Sequence, residues 1–124
     1  MLSRVANSLY WLSRYIERTE NLARLVDVNR YDSLDGSSLA ESEVDDSNAF
    51  WEPLLSVTCT EEAYAEEQEK SEREIDVTWF VTFSGSSGNS IRDCIAQARE
   101  NARMVRDQIS EEMWLELNSF HLFM

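Results

Sequence analysis

The chain has 124 residues, room for one domain, and its 43% of hydrophobic residues can fill a modest core. A charged fraction of 28%, a mean hydropathy of −0.44 and only three Gly and one Pro exclude a disordered or membrane-spanning chain and disfavour an all-β fold, which needs turn residues. The formal charge of −13 argues against nucleic acid and anionic membrane surfaces as partners.

Residues 3–30 predict one long helix. At ~100° per residue, Val5, Leu9, Leu12, Tyr15, Leu22 and Val26 fall on one arc, together with Trp11, Ile16 and Ala23. The opposite arc holds Arg14, Glu17, Arg18 and Asn21, with Leu25 as an apolar intruder. Residues 1–31 carry five Arg against three acids, so this end of an acidic chain is positive. Residues 32–48 have no period and many turn formers, which predicts an acidic loop.

A short helix is expected around 50–57, with Pro53 in its first turn. Thr60 is placed to cap another helix running to about Glu69. Ser71 and Glu74 have capping-box spacing. The run Ile75-Asp76-Val77-Thr78-Trp79-Phe80-Val81-Thr82-Phe83 is β-branched and aromatic, so propensity alone favours a strand. A lone strand has nothing to pair with, and the reading is a buried helix. Residues 84–88, rich in Gly and Ser, form a flexible connection.

Asn89 or Ser90 caps a second long helix, expected over 90–122. Ile91, Ile95, Ala98, Ala102, Val105 and Ile109 form its buried seam, and the pattern slips near Ser110. Trp11, Tyr15, Trp51, Trp79, Phe80 and Trp114 are read as core. The fold class is thus all-α, a helical bundle in which two long helices bracket shorter ones.

Two arginine-rich sets are the candidate site. Arg14, Glu17, Arg18 and Asn21 share one face of the first helix, and Arg99, Asn101, Arg103 and Arg106 lie on the second. Side-by-side packing would bring the two sets together. Guanidinium forks suit a carboxylate or phosphate ligand by bidentate contact. The alternative is a set of ion pairs that fixes helix register.

Other chemistries lack their residues. A di-metal carboxylate site needs Glu-x-x-His pairs, but Asn118 stands three before His121, the one histidine. Cys59 and Cys94 lack metal spacing and have no histidine nearby. No metal and no cofactor is expected, and two isolated cysteines suit the cytoplasm.

Two blocks carry a family resemblance. The first runs through Met1-Leu2-Ser3-Arg4-Val5-Ala6, Leu9-Tyr10-Trp11, Arg14-Tyr15-Ile16-Glu17-Arg18 and Glu20-Asn21-Leu22-Ala23-Arg24. The second contains Asn89-Ser90-Ile91, Ala98-Arg99-Glu100-Asn101-Ala102-Arg103, Arg106, Glu112, Trp114 and Asn118. Both resemble the bacterial alpha-E family, named for helical content and a Glu-Arg motif, here Glu17-Arg18. The resemblance covers the middle only loosely, and family members are usually much longer, so residues 1–124 are expected to be the N-terminal part of an alpha-E-like domain.

The resemblance implies no established reaction. It implies an accessory role in gene neighbourhoods that encode ATP-grasp amide ligases, hence a non-catalytic helical module that binds protein partners around a peptide-like product. Two alternatives stand beside it. One is an enzyme or ligand-binding domain using the Arg/Glu cluster. The other is a structural oligomerisation unit, because residues 113–124 carry Met113, Trp114, Leu117, Phe120, Leu122, Phe123 and Met124. A protein partner or a second copy is therefore expected.

Overall fold

The computed structural model describes residues 2–36 and 51–124. They form six α-helices: α1 (Leu2–Gly36), α2 (Glu52–Thr58), α3 (Glu61–Lys70), α4 (Val77–Phe83), α5 (Ile91–Met104) and α6 (Glu111–Phe123). Most of the acidic loop expected over 32–48 lies outside the described residues; α1 itself continues through residues 32–36.

The sequence of α1 allows its 35-residue length because no Gly or Pro occurs before Gly36. Polar residues within it satisfy themselves locally. Ser13, Thr19 and Asn29 each donate to the carbonyl four residues earlier. Its buried line runs through Leu12 and Leu22, with Tyr15, Leu25 and Val26 half-buried beside it. This line is rotated from the expected arc: Leu25 packs inward, while Trp11 and Ile16 lie 39% and 36% exposed. The intruder on the polar face packs against the core.

Two clusters fill the interior. Leu12 shares one with Ile95, Ala98, Ala102, Trp114 and Leu117. Leu22 shares the other with Leu54, Phe80, Ile91 and Cys94. Early α1 residues therefore meet late α5 residues, and later ones meet the start of α5. The two helices run antiparallel. Ala98 and Ala102, both fully buried, let the backbones approach closely.

The second long helix is broken. After α5, Val105 leaves helical geometry at φ −125°, ψ 27°, and a 3₁₀ turn occupies Arg106–Gln108. Ser110 then starts α6, its Oγ accepting from the Met113 N–H at 3.1 Å. The break at the sequence slip lets α6 fold back on α5, where Trp114 and Leu117 become buried.

Of the run from 75 to 83, residues 77–83 form a helix because their apolar groups have a core to enter, while Ile75 and Asp76 stay outside it. Phe80 is fully buried and meets the Tyr64 ring edge-on, with centroids 5.2 Å apart. Burial overrides strand propensity. The expected capping box at Ser71 and Glu74 does not form, because the helix starts later, and Asp76 accepts from the Thr78 N–H at 2.9 Å instead. Gln68 holds the preceding connection, donating to the Arg73 carbonyl at 2.9 Å and accepting from the Ile75 N–H at 2.8 Å.

Thr60 occupies the start of α3 without capping it, because its hydroxyl pairs with that of Thr58 at 2.8 Å. The end of α2 is closed by backbone: Cys59 N–H to the Ser56 carbonyl and Thr60 N–H to the Leu55 carbonyl, with Cys59 left-handed at φ 56°. The 84–88 connection is anchored rather than free. Ser84 is 1% exposed and donates to the Glu67 carboxylate at 2.6 Å.

Candidate functional site

Arg14, Glu17, Arg18 and Asn21 recur at steps of three and four, so successive turns of α1 stack them on one edge. That edge forms one wall of an open cleft of about 380 Å³. Leu22 and Leu25 give the wall its apolar part. Val57 and Thr58, from the end of α2, and Asn89, before α5, also line the cleft.

The two arginines are held differently. Arg14 Nη1 lies 3.2 Å from the Glu17 carboxylate, an exposed pair one turn apart. Arg18 Nη1 donates to the neutral Asn89 Oδ1 at 3.4 Å, and its guanidinium lies over the Tyr15 ring, 5.5 Å from the centroid. Among the described residues no carboxylate lies within ion-pair reach of Arg18. Behind it, burial pushes the Cys94 thiol up, while the nearby guanidinium pulls the other way.

The second arginine set lies elsewhere, on α5 and the turn that follows it. Arg99 Nε donates to Asn118 Oδ1 at 2.8 Å, and its Nη1 lies 3.5 Å from the Glu100 carboxylate. Arg99 and Arg106 stand over the Trp114 ring at 5.7 and 5.1 Å. Arg103 pairs with Glu100 at 2.9 Å, and Asn101 donates to the Gln97 carbonyl of its own helix. The helices that carry the two sets pack together, yet Arg99 turns towards α6 and does not line the cleft.

Residues 1–124 match the Alpha-E family, described as a predicted alpha-helical domain with a conserved ER motif. The chain belongs to the Alpha-E family. The match spans residues 1–124, so it takes in the middle, which the resemblance covered only loosely, as well as the two arginine-bearing blocks. No curated protein and no solved structure matches this Alpha-E chain.

Two Glu-Arg pairs occur in this Alpha-E sequence, Glu17-Arg18 and Glu72-Arg73. The second lies exposed in the connection between α3 and α4, whereas the first lines the cleft. Among the described residues no group of three His, Cys, Asp or Glu could hold a metal ion. No helix among them is long and apolar enough to cross a membrane. Cys59 is exposed and Cys94 buried, both as free thiols.

Val57, Thr58 and Asn89 were outside the sequence-derived set, since only tertiary packing brings them to α1. Leu25 carried the one available signal. An apolar residue among arginines on a helix marks where the polar face gives way to a packed neighbour. The aromatic assignments divide as well: Phe80 and Trp114 are core, Tyr15 and Trp51 are half-buried, and Trp79 is 47% exposed.

Proposed function

We propose that this Alpha-E chain is a non-catalytic helical recognition module, acting in the bacterial cytoplasm beside an ATP-grasp amide ligase and the peptide-like product it builds. The observation that carries the reading is the cleft at Glu17-Arg18, where a guanidinium with no carboxylate partner among the described residues stands beside apolar surface. Such a cleft can hold an anionic group by bidentate hydrogen bonding. Its lining suits holding more than proton transfer. The Thr58 hydroxyl is engaged with the Leu54 carbonyl at 2.8 Å, and the Cys94 thiol behind Arg18 is buried with its pKa raised.

The test is surface plasmon resonance of the chain against a purified ATP-grasp ligase encoded beside it, with and without the ligase's acceptor. The reading expects direct binding that Arg18→Gln weakens by at least ~10-fold, the loss expected for a charged hydrogen-bonding partner. No binding by the wild-type chain would overturn it.

Self-association is the second reading, favoured by the outward side of α6, where Phe120 and Phe123 stack at 6.4 Å and Leu122 and Phe123 are 75% and 83% exposed. Light scattering tests it. A dimer at micromolar concentration is expected, and a monomer throughout the accessible range contradicts it.

A further inference from the structure

Charge, shape and apolar lining together narrow what the cleft can hold. Among the described residues that line the cleft, Arg14 and Arg18 stand against Glu17 alone, a surplus of one positive charge. Arg14 is already engaged by Glu17 at 3.2 Å, so the surplus resides at Arg18. One surplus charge matches a carboxylate. A phosphate dianion would meet the Glu17 carboxylate with only half its charge answered.

Arg18 is also positioned in advance. The Tyr15 ring at 5.5 Å limits its swing, and Asn89 Oδ1 at 3.4 Å is a weak neutral partner that a carboxylate can replace. Little ordering cost then falls on binding.

The neighbouring wall is aliphatic. Leu22 is buried, Leu25 half-buried, and Val57 lies 67% exposed on the side of α2. An exposed Val and two Leu lining one cleft can receive one aliphatic side chain. The cleft's volume of about 380 Å³ fits a small ligand or a chain terminus, not a folded surface. In a C-terminal residue the carboxylate and the side chain share one Cα, so both reach adjacent surfaces together. The exposed amides of Asn21 and Asn89 can pair with the last peptide group.

We infer that the cleft takes the free C-terminal carboxylate of a peptide-like chain whose last side chain is aliphatic. The inference rests on the recognition role proposed above and names its ligand.

The experiment titrates the whole chain with N-acetyl-Ala-Leu acid, the same dipeptide as its C-terminal amide, N-acetyl-Ala-Asp amide, and inorganic phosphate. Side-chain NMR signals of Asn21, Asn89 and Arg18 Nε report binding. The Leu acid should give saturable shifts there. The Leu amide and the Asp amide should each bind at least ~10-fold more weakly, the first lacking the charge and the second presenting it away from the aliphatic wall. Arg18→Gln should lose ~10-fold or more. Val57→Asp changes an exposed position, so folding is not at stake, and it should lose a similar factor through charge repulsion and lost apolar contact.

Equal binding of acid and amide, tighter binding of phosphate or of the Asp peptide, or no saturable shift in the cleft would each overturn the inference. Ligase binding that persists while the Leu acid fails removes the ligand assignment and leaves the recognition role. Loss of both removes both.

Discussion

Arg18 and Asn89 stand 71 residues apart in the chain, yet Arg18 Nη1 donates to Asn89 Oδ1 at 3.4 Å. The contact joins the middle of α1 to the residue before the N-cap of α5, where Ser90 accepts from the Asp93 N–H at 3.1 Å. A helix surface that would otherwise carry only local ion pairs thus becomes the wall of a cleft. The register of the antiparallel α1 and α5 pair decides this, and that register is set by the buried line of Leu12 and Leu22 against Ile91, Ile95, Ala98 and Ala102.

Phe80→Ala should remove about 3–5 kcal/mol, since a fully buried ring leaves a cavity beside Tyr64. That is a large part of the ~5–15 kcal/mol typical of a domain. Trp79→Ala, at a 47% exposed position, should cost much less. Urea midpoints of the two variants check the contrast.

The start of α4 separates two capping schemes. Asp76→Ala should cost about 1 kcal/mol, because Asp76 accepts from the Thr78 N–H at 2.9 Å. Ser71→Ala should stay within ~0.5 kcal/mol, because Ser71 caps no helix start. Thermal melts of both variants give the comparison, and the reverse order would restore the capping box at Ser71 and Glu74.

Much of this architecture was legible in sequence. The α5 seam, the α1 helix and the slip near Ser110 each rest on local periodicity, and each has a counterpart in the structure. The helical state of 77–83 followed from pairing logic against propensity. What sequence left hidden was rotation and partnership: which side of α1 faces α5, that Arg99 turns to Asn118, and that α2 ends beside Arg18. These depend on long-range packing, which has no period. Ser71 misled because capping-box spacing does not say whether the helix has begun.

Alkaline stability should depend on Tyr64. Burial first, then Glu74 and Asp76, raise its pKa above 10.0. The folded state therefore holds this proton more tightly than the unfolded chain does. The resulting stability is complete below the unfolded value of 10.0 and is lost as pH rises through the folded value. Tyr64→Phe should flatten the decline above 10.0, while near neutral pH it loses about 1 kcal/mol with the 2.7 Å bond to the Ile75 carbonyl. Urea midpoints on either side of that pH decide it, and equal slopes for the two proteins would contradict it.

The two thiols should react at very different rates. Cys59 is exposed, whereas Cys94 is fully buried with its thiol pushed up, and the thiolate is the reactive form. A thiol-specific reagent should modify Cys59 alone in the native protein and both residues after denaturation. Rapid native labelling of Cys94 would mean that α5 opens beside Arg18.

The central claim is that Arg18 is a binding group and not one more register-fixing ion pair. The most direct measurement is a propionate titration followed by NMR at the arginine Nε–H signals. A saturable shift at Arg18, accompanied by Asn21 and Asn89, is expected, while Arg99 and Arg103, already held by Asn118 and Glu100, stay unmoved. Shifts that rise linearly and equally across all arginines, or none at Arg18, would contradict it.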